Sequence, residues 1–541
     1  MGFNPWSRYQ CSPDETLFLT TATTMLSTGL LTAGYTRLNL DDCWTTHERA
    51  PNGSLQWDSG KFPHGIPWLA EFVKSQGIEL GIYADAGNAT CGGFPGSEGW
   101  EEVDAGVFGE WGVGYVKVDG CNLFASEEVG TLEEVYRRVY GRWSEVLRGD
   151  VDPDPDSTEG RRSRSKKKEK KKEKGMMIFS QSAPAYFFNS SPNHTTWYTI
   201  LEWVRQTGEL ARHSTDILVY ADQDQSSPSK AWTSIMHNYH TNTLLARYQA
   251  PGFYNDPDFL IPDHPGLTLA EKRTQFTLWA SFSAPLIISA DLPALVGTEE
   301  MQFLLNSEVI AVDQDVLAQQ ATLASRDAEV DVLTRSLVDG RRVVTVLNRG
   351  ADRVRRAIPL EWLGLHLGCK FRVRDLWTGV EQGDVRGVLV VEVASHATEM
   401  YTLMPEGDEH GDCPVESTGI VLHAASEGCL TGGSAISGVK IETCRATADQ
   451  IWQVSRLGEL RPLAASGLCL TGEAGKASLR RCSGGEDQRW SYAISGNLQN
   501  EFTGSCLTES EGESEMKPCV RAADSQVFAL PAATAVDQST D

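Results

Sequence analysis

Short apolar runs alternate with helix-periodic stretches from residue 1 to about 318, the pattern of repeated β/α units. Strands are predicted at Thr36–Leu40, Leu80–Tyr83, Tyr115–Val118, Met177–Ser180, Gly252–Tyr254 and Leu286–Ser289, and helices at Asp14–Thr28 and Leu132–Leu147. A segment of that length suits a (β/α)8 TIM barrel, whose functional groups gather at the C-terminal ends of the strands. Asp41, Asp42, Asp85, Asp119 and Asp256 each follow an apolar run. A doubly wound sheet is the rival, but no glycine-rich phosphate loop follows a first strand. From about 319 to 405 the period changes to two, with strands predicted at Glu329–Arg335, Arg341–Arg349, Lys370–Asp375, Val388–Val393 and Thr398–Leu403. This reads as an antiparallel β-sandwich domain packed on the barrel. The polar stretch Pro405–Ser417 reads as a linker over 406–417, followed by a third domain over 418–541.

That last segment is repetitive. Cys-Leu-Thr recurs at 429–431, 469–471 and 506–508, each time followed by a second cysteine (444, 482, 519). Gln-x-aromatic then follows at Gln450–Trp452, Gln488–Trp490 and Gln526–Phe528, at an interval of 38 residues. Three features recurring in one order mark three copies of a supersecondary unit. The unit resembles the ricin-type β-trefoil, with one disulfide in each copy: Cys429–Cys444, Cys469–Cys482 and Cys506–Cys519. Such trefoils usually carry an acidic residue where Thr431, Thr471 and Thr508 stand, so glycan binding by this module stays open.

Composition narrows the function. A formal charge of −25 repels nucleic acid and anionic membrane, so neither is an expected partner. No run of about eighteen apolar residues is present. The run Arg161–Lys174 carries +8, against −33 for the remainder, and reads as a solvated, disordered insert within the barrel. Twelve cysteines without Cys-x-x-Cys suggest disulfides and an oxidising compartment. Sequons at Asn52, Asn88, Asn189 and Asn193 point to glycosylation and secretion. No signal peptide is visible, and the start at Met1 is read as that of a mature or truncated product.

The motifs become specific when taken in order. They are Met1-Gly-Phe-Asn-Pro-Trp6, Leu40-Asp-Asp-Cys-Trp44, Phe62-Pro-His-Gly65, Leu80-Gly-Ile-Tyr-Ala-Asp-Ala-Gly87, Thr90-Cys-Gly-Gly-Phe-Pro-Gly-Ser97, Trp111 through Cys121, and Tyr254-Asn-Asp-Pro-Asp258. Over residues 1–405 the chain resembles glycoside hydrolase family 27, the α-galactosidase and α-N-acetylgalactosaminidase family. The terminal trefoil resembles that of some fungal members.

The resemblance implies a retaining exo-glycosidase acting on terminal α-galactose of oligo- or polysaccharides, without cofactor or metal. Cleavage needs one carboxylate to attack and one carboxyl to hold a proton. The resemblance assigns these to Asp119, the nucleophile, and Asp216, the acid/base, although Ala211 stands where the family usually has tryptophan. Lys117, two residues before Asp119 on one strand face, would keep the nucleophile ionised, and Arg212 would position a ring hydroxyl. Asp41 and Asp42 would accept from the sugar's 4- and 6-hydroxyls; a helix N-cap pair or a calcium set are the other readings of that pair. Trp6 and Tyr83 would supply apolar walls. In the loop Ser180–Tyr186, Ser182 and Ala185 are small, as in the acetylgalactosamine-cleaving branch, with Tyr186 beside them. Gln181 and Ala183 replace the customary Cys and Trp. Cys11–Cys43 and Cys91–Cys121 match the family's disulfides; Cys369 and Cys413 pair with each other or are free. A non-catalytic lectin built on a degenerate barrel is the rival from another class.

Overall fold

The computed structural model describes residues 1–127, 130–149, 177–189, 193–220, 229–406, 413–433 and 438–538. The basic run 161–174 and the middle of the 406–417 stretch lie outside them.

Eight parallel strands form one sheet: β1 (Gly2–Phe3), β2 (Arg37–Asn39), β3 (Glu79–Asp85), β4 (Tyr115–Asp119), β5 (Ile178–Gln181), β6 (Leu210–Arg212), β7 (Tyr254–Asp256) and β8 (Ile287–Ile288). Their spatial order follows the chain, with β1 paired to both β2 and β8. The segment after β7 closes the ring. Leu260 N–H donates to the Ile287 carbonyl at 2.8 Å, and Ser289 N–H to the Leu260 carbonyl at 2.8 Å. Six strands overlap predicted apolar runs, β7 only at Tyr254; β1 and β6, of two and three residues, were not predicted.

Helix Glu15–Thr28 begins where Asp14 accepts from Leu17 N–H at 2.9 Å and ends at Gly29 with φ +90°. Helix Leu132–Arg148 starts from a reciprocal cap between Thr131 and Glu134, which satisfies two of the amides a helix start leaves unpaired. Alternation along β4 sets the site. Val116 and Val118 are fully buried, while Lys117 and Asp119 share the opposite face.

Eight antiparallel strands follow: β9 (Thr322–Arg326), β10 (Val330–Ser336), β11 (Arg342–Asn348), β12 (Val354–Pro359), β13 (Phe371–Asp375), β14 (Val380–Val385), β15 (Val388–Val393) and β16 (Thr398–Pro405). Six form the sheet β14-β13-β16-β11-β10-β9, and β12 pairs with β15. Val332, Val344, Val346, Phe371, Leu389 and Val391 fill the space between. Prediction missed β9, β12 and β14. The last has the exposed sequence Val-Glu-Gln-Gly-Asp-Val, with no apolar face to betray it.

The third unit repeats one hydrogen-bond knot three times. Gln450, Gln488 and Gln526 donate to Thr431, Thr471 and Thr508 Oγ1 at 3.1, 3.1 and 3.0 Å. Each glutamine also donates to a carbonyl and accepts a backbone N–H, from Arg445, Ser483 and Val520 respectively. Each threonine in turn donates to the carbonyl of the first cysteine in its copy. The three threonines at the usually acidic positions thus serve the fold. Replacing the buried Gln488 by Leu removes its bonds to Thr471 Oγ1, the Arg481 carbonyl and the Ser483 N–H, and is expected to destabilise the protein by about 1–3 kcal/mol in denaturant unfolding.

The trefoil is docked on the barrel. Arg247, buried beneath Tyr198 and Tyr248, donates to the Ile494 carbonyl at 2.9 Å. A side chain at Gly496 would meet Val527 Cγ1 at 2.7 Å and crowd that guanidinium at 3.1 Å. Asp524 accepts from His194 N–H at 3.0 Å, and Arg521 pairs with Glu202. All twelve cysteines are paired, including Cys369 with Cys413. Asn52, Asn88, Asn189 and Asn193 are exposed. Among the described residues no helix is long and apolar enough to cross a membrane.

Candidate active site

The strand ends converge on one mouth. Asp119 closes β4 and presents both oxygens. Oδ1 accepts from Tyr186 O–H at 2.6 Å and Gly120 N–H at 3.0 Å, and Oδ2 from Tyr83 O–H at 3.2 Å. Burial first, and then the charge of Asp119, hold both phenols far above their ordinary range, so they remain donors. Tyr83 therefore contributes a hydroxyl as well as a ring face. Tyr136 supports the arrangement, donating to the Gly120 carbonyl and packing on the Tyr186 ring at 5.6 Å.

Lys117 makes its ion pair with Asp41 at 2.8 Å. Burial opposes the ammonium, but Asp41 and Asp119 together outweigh it and hold the lysine above its usual range. Asp41 also accepts from Asn4 Nδ2 at 2.6 Å, and Asn4 Oδ1 receives the N–H of Trp6 at 2.9 Å. The half-buried Trp6 is thereby tied to the same carboxylate. Asp42 takes Cys43 N–H at 2.6 Å and Gly92 N–H at 2.7 Å. Burial raises its pKa, and those backbone donors resist the rise. The bridges Cys11–Cys43 and Cys91–Cys121 pin the loops that carry these donors.

On the other side stands Arg212 at the end of β6, buried to 5% exposure. It holds Asp216 Oδ1 at 3.0 Å and Asp258 Oδ2 at 2.9 Å. Asp216 is open to solvent, its side chain 73% exposed. Desolvation works to raise its pKa, yet Arg212 and then Lys117 prevail and lower it. Asp119 ends β4, and Arg212, which holds Asp216, ends β6 two strands away in the same parallel sheet; the charge of Lys117 acts on both carboxyl groups. Asp258 is buried and sits at φ +81°, a backbone region costly for a side-chain-bearing residue. Asp256 holds it there, accepting Asp258 N–H at 2.8 Å, while Asp258 accepts Ile217 N–H at 2.7 Å. Burial, relieved partly by Arg212, leaves Asp258 raised to about 6.

The loop Ser182–Tyr186 lies across the mouth. Ser182 N–H donates to the Val118 carbonyl at 3.2 Å and Ala185 N–H to the Ser182 carbonyl at 3.1 Å. Gln181 is fully buried and ties the loop's root to the next helix, donating to the Val204 carbonyl at 2.9 Å and accepting Thr207 O–H at 2.7 Å. Asp85, Asp256, Asp258 and Tyr136 join the site without having been singled out for it. Their signal was present, since Asp85 and Asp256 end strands and Asp258 belongs to a quoted motif. Asp85, Cys91 and Cys121 also form a tight group, but both sulfurs are in a disulfide and supply no thiolate.

The arrangement offers two carboxyl groups at one end of the barrel, one cradled by phenols and one exposed beside an arginine, with a buried lysine–aspartate pair on the same side. Comparison with known proteins agrees with that chemistry. The family model described as Alpha galactosidase A matches residues 1–143 and 157–315. The alpha galactosidase C-terminal beta sandwich domain matches 327–403, and the ricin-type beta-trefoil lectin domain 417–528. The chain is 52% identical to a probable alpha-galactosidase A of Aspergillus fumigatus, covering 100% of this chain and 94% of that one. It is 50% identical to alpha-galactosidase A of Aspergillus niger, over 98% and 91%. The crystal structure of alpha-galactosidase I from Mortierella vinacea superposes with TM-score 0.62 at 25% identity, over 75% of this chain and 96% of that one. With more than half its length in the catalytic model and near-complete relatives at about half identity, this chain belongs to the alpha galactosidase A family.

Proposed function

We propose that this protein removes terminal, non-reducing α-D-galactose from oligosaccharides and galactomannans, with retention of configuration. The observation that carries the reading is the placement of Asp119 at the end of β4 and of Asp216 on Arg212 at the end of β6, on one side of the parallel sheet. Asp119 attacks the anomeric carbon while Asp216 protonates the departing oxygen. Asp216 then takes a proton from water, which releases the sugar from Asp119. Retention requires the two carboxyl groups about 5–5.5 Å apart across the bound sugar. Asp41, Asp42 and Lys117 receive the galactose hydroxyls; the axial 4-hydroxyl is rewarded because those groups are buried and charged. Six disulfides and four exposed sequons support a secreted glycoprotein.

Asp216 poses a physical question, because an acid must hold its proton and Arg212 works against that. Arg212 has a second partner in Asp258, so it need not stay on Asp216. A sugar bound at the mouth removes the water around Asp216, and desolvation raises the pKa of a carboxyl. The alkaline limb of kcat/KM, which reports the free enzyme, is therefore expected at lower pH than the limb of kcat, which reports the complex. Coincident limbs in parallel pH–rate profiles would show that Asp216 does not change on binding.

Ser182 and Ala185 put small side chains on the loop over the mouth. They leave room for a 2-acetamido group, so measurable turnover of nitrophenyl α-N-acetylgalactosaminide is expected beside that of the α-galactoside. Comparing kcat/KM for the two substrates checks both the galactosidase reading and its breadth.

A further inference from the structure

Asp85 ends β3, Asp119 ends β4, and the parallel register sets them side by side. Asp85 has no exposed surface. Its Oδ1 accepts Gly87 N–H at 2.8 Å, and its Oδ2 accepts Cys121 N–H at 3.1 Å. The same Oδ2 lies 3.4 Å from Tyr83 Oη, which is itself 3.2 Å from Asp119 Oδ2. One phenolic proton thus stands between two carboxyl groups, and it can serve only one of them.

The groups around Asp85 offer no compensating charge. Asp42 faces it from the loop after β2, and Asp119 from β4. Tyr83 faces it from its own strand, Tyr136 and Tyr140 from helix Leu132–Arg148, and Tyr186 from the loop over the mouth. Among the described residues no Lys, Arg or His lies within ion-pair distance of Asp85, and Lys117 is committed to Asp41 at 2.8 Å. The nearby sulfur of Cys91 is in a disulfide and carries no proton. Two backbone N–H groups offset part of the cost, but a buried carboxylate whose side-chain neighbours are acids and phenols remains a costly state of that group.

We propose that Asp85 is a positioning residue that carries a proton in the resting enzyme, donating to Tyr83 Oη so that the Tyr83 O–H is committed to the Asp119 carboxylate. The proposal rests on the reading of Asp119 as nucleophile. Protons balance without Asp85 taking part in the chemistry. As the Asp119–carbon bond forms and the glycosidic bond breaks, the leaving oxygen takes its proton from Asp216, and the Asp85 proton stays where it is. Burial, and then the charge of Asp119, push Asp85 up to about 8, which agrees with the geometry. An ionised Asp85 would turn the Tyr83 O–H toward itself and set a second negative charge beside the nucleophile.

The alkaline behaviour of Asp216 must be removed to see this. The Asp216→Ala variant with dinitrophenyl α-galactoside, whose leaving group needs no acid, reports formation of the glycosyl-enzyme alone as a burst. The burst rate is expected to fall about tenfold between about pH 7 and pH 9, as for one group titrating at about 8. In Asp216→Ala/Asp85→Asn the fall should be absent, because the amide can donate to Tyr83 and does not ionise. A fall that persists in the double variant, or that is missing from the single one, overturns the proposal. If Asp216→Ala gives no burst, the assignment of Asp216 fails, and infrared difference spectra of the unaltered protein decide on Asp85. A protonated-carboxyl carbonyl band at about pH 6 that is lost on titration to about pH 10, and is missing from Asp85→Asn, is the expected result. No such band would refute a protonated Asp85.

Discussion

Asp119→Asn is expected to lose at least about 10⁴-fold in kcat/KM on any α-galactoside, while its affinity for galactose changes little. The amide has the shape of the carboxylate but no negative oxygen with which to attack. Its environment can hold it. The carbonyl oxygen keeps Tyr186 O–H and Gly120 N–H, and the amide nitrogen donates to Tyr83 in place of accepting from it. Folding should survive, because two adjacent carboxyl groups become one. The groups proposed to bind the sugar, Asp41, Asp42 and Lys117, are left in place by this change. Steady-state kinetics with a galactose titration by calorimetry checks both halves. A lectin with a dead barrel would show no hydrolysis before the substitution either.

The second large effect is on stability. Arg212→Leu removes the guanidinium shared by Asp216 and Asp258, and the two partners respond differently. Asp216 is 73% exposed and falls back on water, so its lost ion pair is worth little. Asp258 is 2% exposed and is left as an uncompensated buried carboxylate. Breaking a buried pair in this way costs about 3–5 kcal/mol, expected as a lowered denaturant midpoint at neutral pH. The pH dependence carries the sign. Asp258 is already raised to about 6 in the folded protein. A carboxyl raised on folding contributes stability that is full below its unfolded pKa and lost as pH rises through the folded one. Without Arg212 the folded value rises further, so the deficit of the variant should shrink toward acid pH and grow above about pH 6.

Much of the fold was legible because β/α alternation and a threefold repeat are coarse signals that survive local irregularity. The apolar run Tyr115–Val118 located β4 and thereby put Lys117 and Asp119 on one face. The Cys-Leu-Thr and Gln-x-aromatic recurrences marked the trefoil, and the structure explains them as one hydrogen-bond knot used three times. What stayed hidden depends on contacts between strands distant in sequence. Nothing in the run Leu80–Asp85 shows that the last carboxyl meets Asp119 across a tyrosine. The left-handed backbone at Asp258, which delivers its carboxylate to Arg212, is likewise decided by Asp256 and Ile217. The partner of Lys117 is Asp41, 76 residues earlier, and only barrel closure brings them together. Docking of the trefoil through Arg247 and Asp524 has no signature in either segment alone.

One experiment reaches the covalent chemistry directly. Asp216→Ala mixed with dinitrophenyl α-galactoside, quenched in acid during the burst and digested, should yield one peptide heavier by a hexosyl group, with fragmentation placing the sugar on the carboxyl of Asp119. A sugar attached at Asp85 or at any carboxyl other than that of Asp119, or a product released with no labelled peptide at any time, would contradict attack by Asp119.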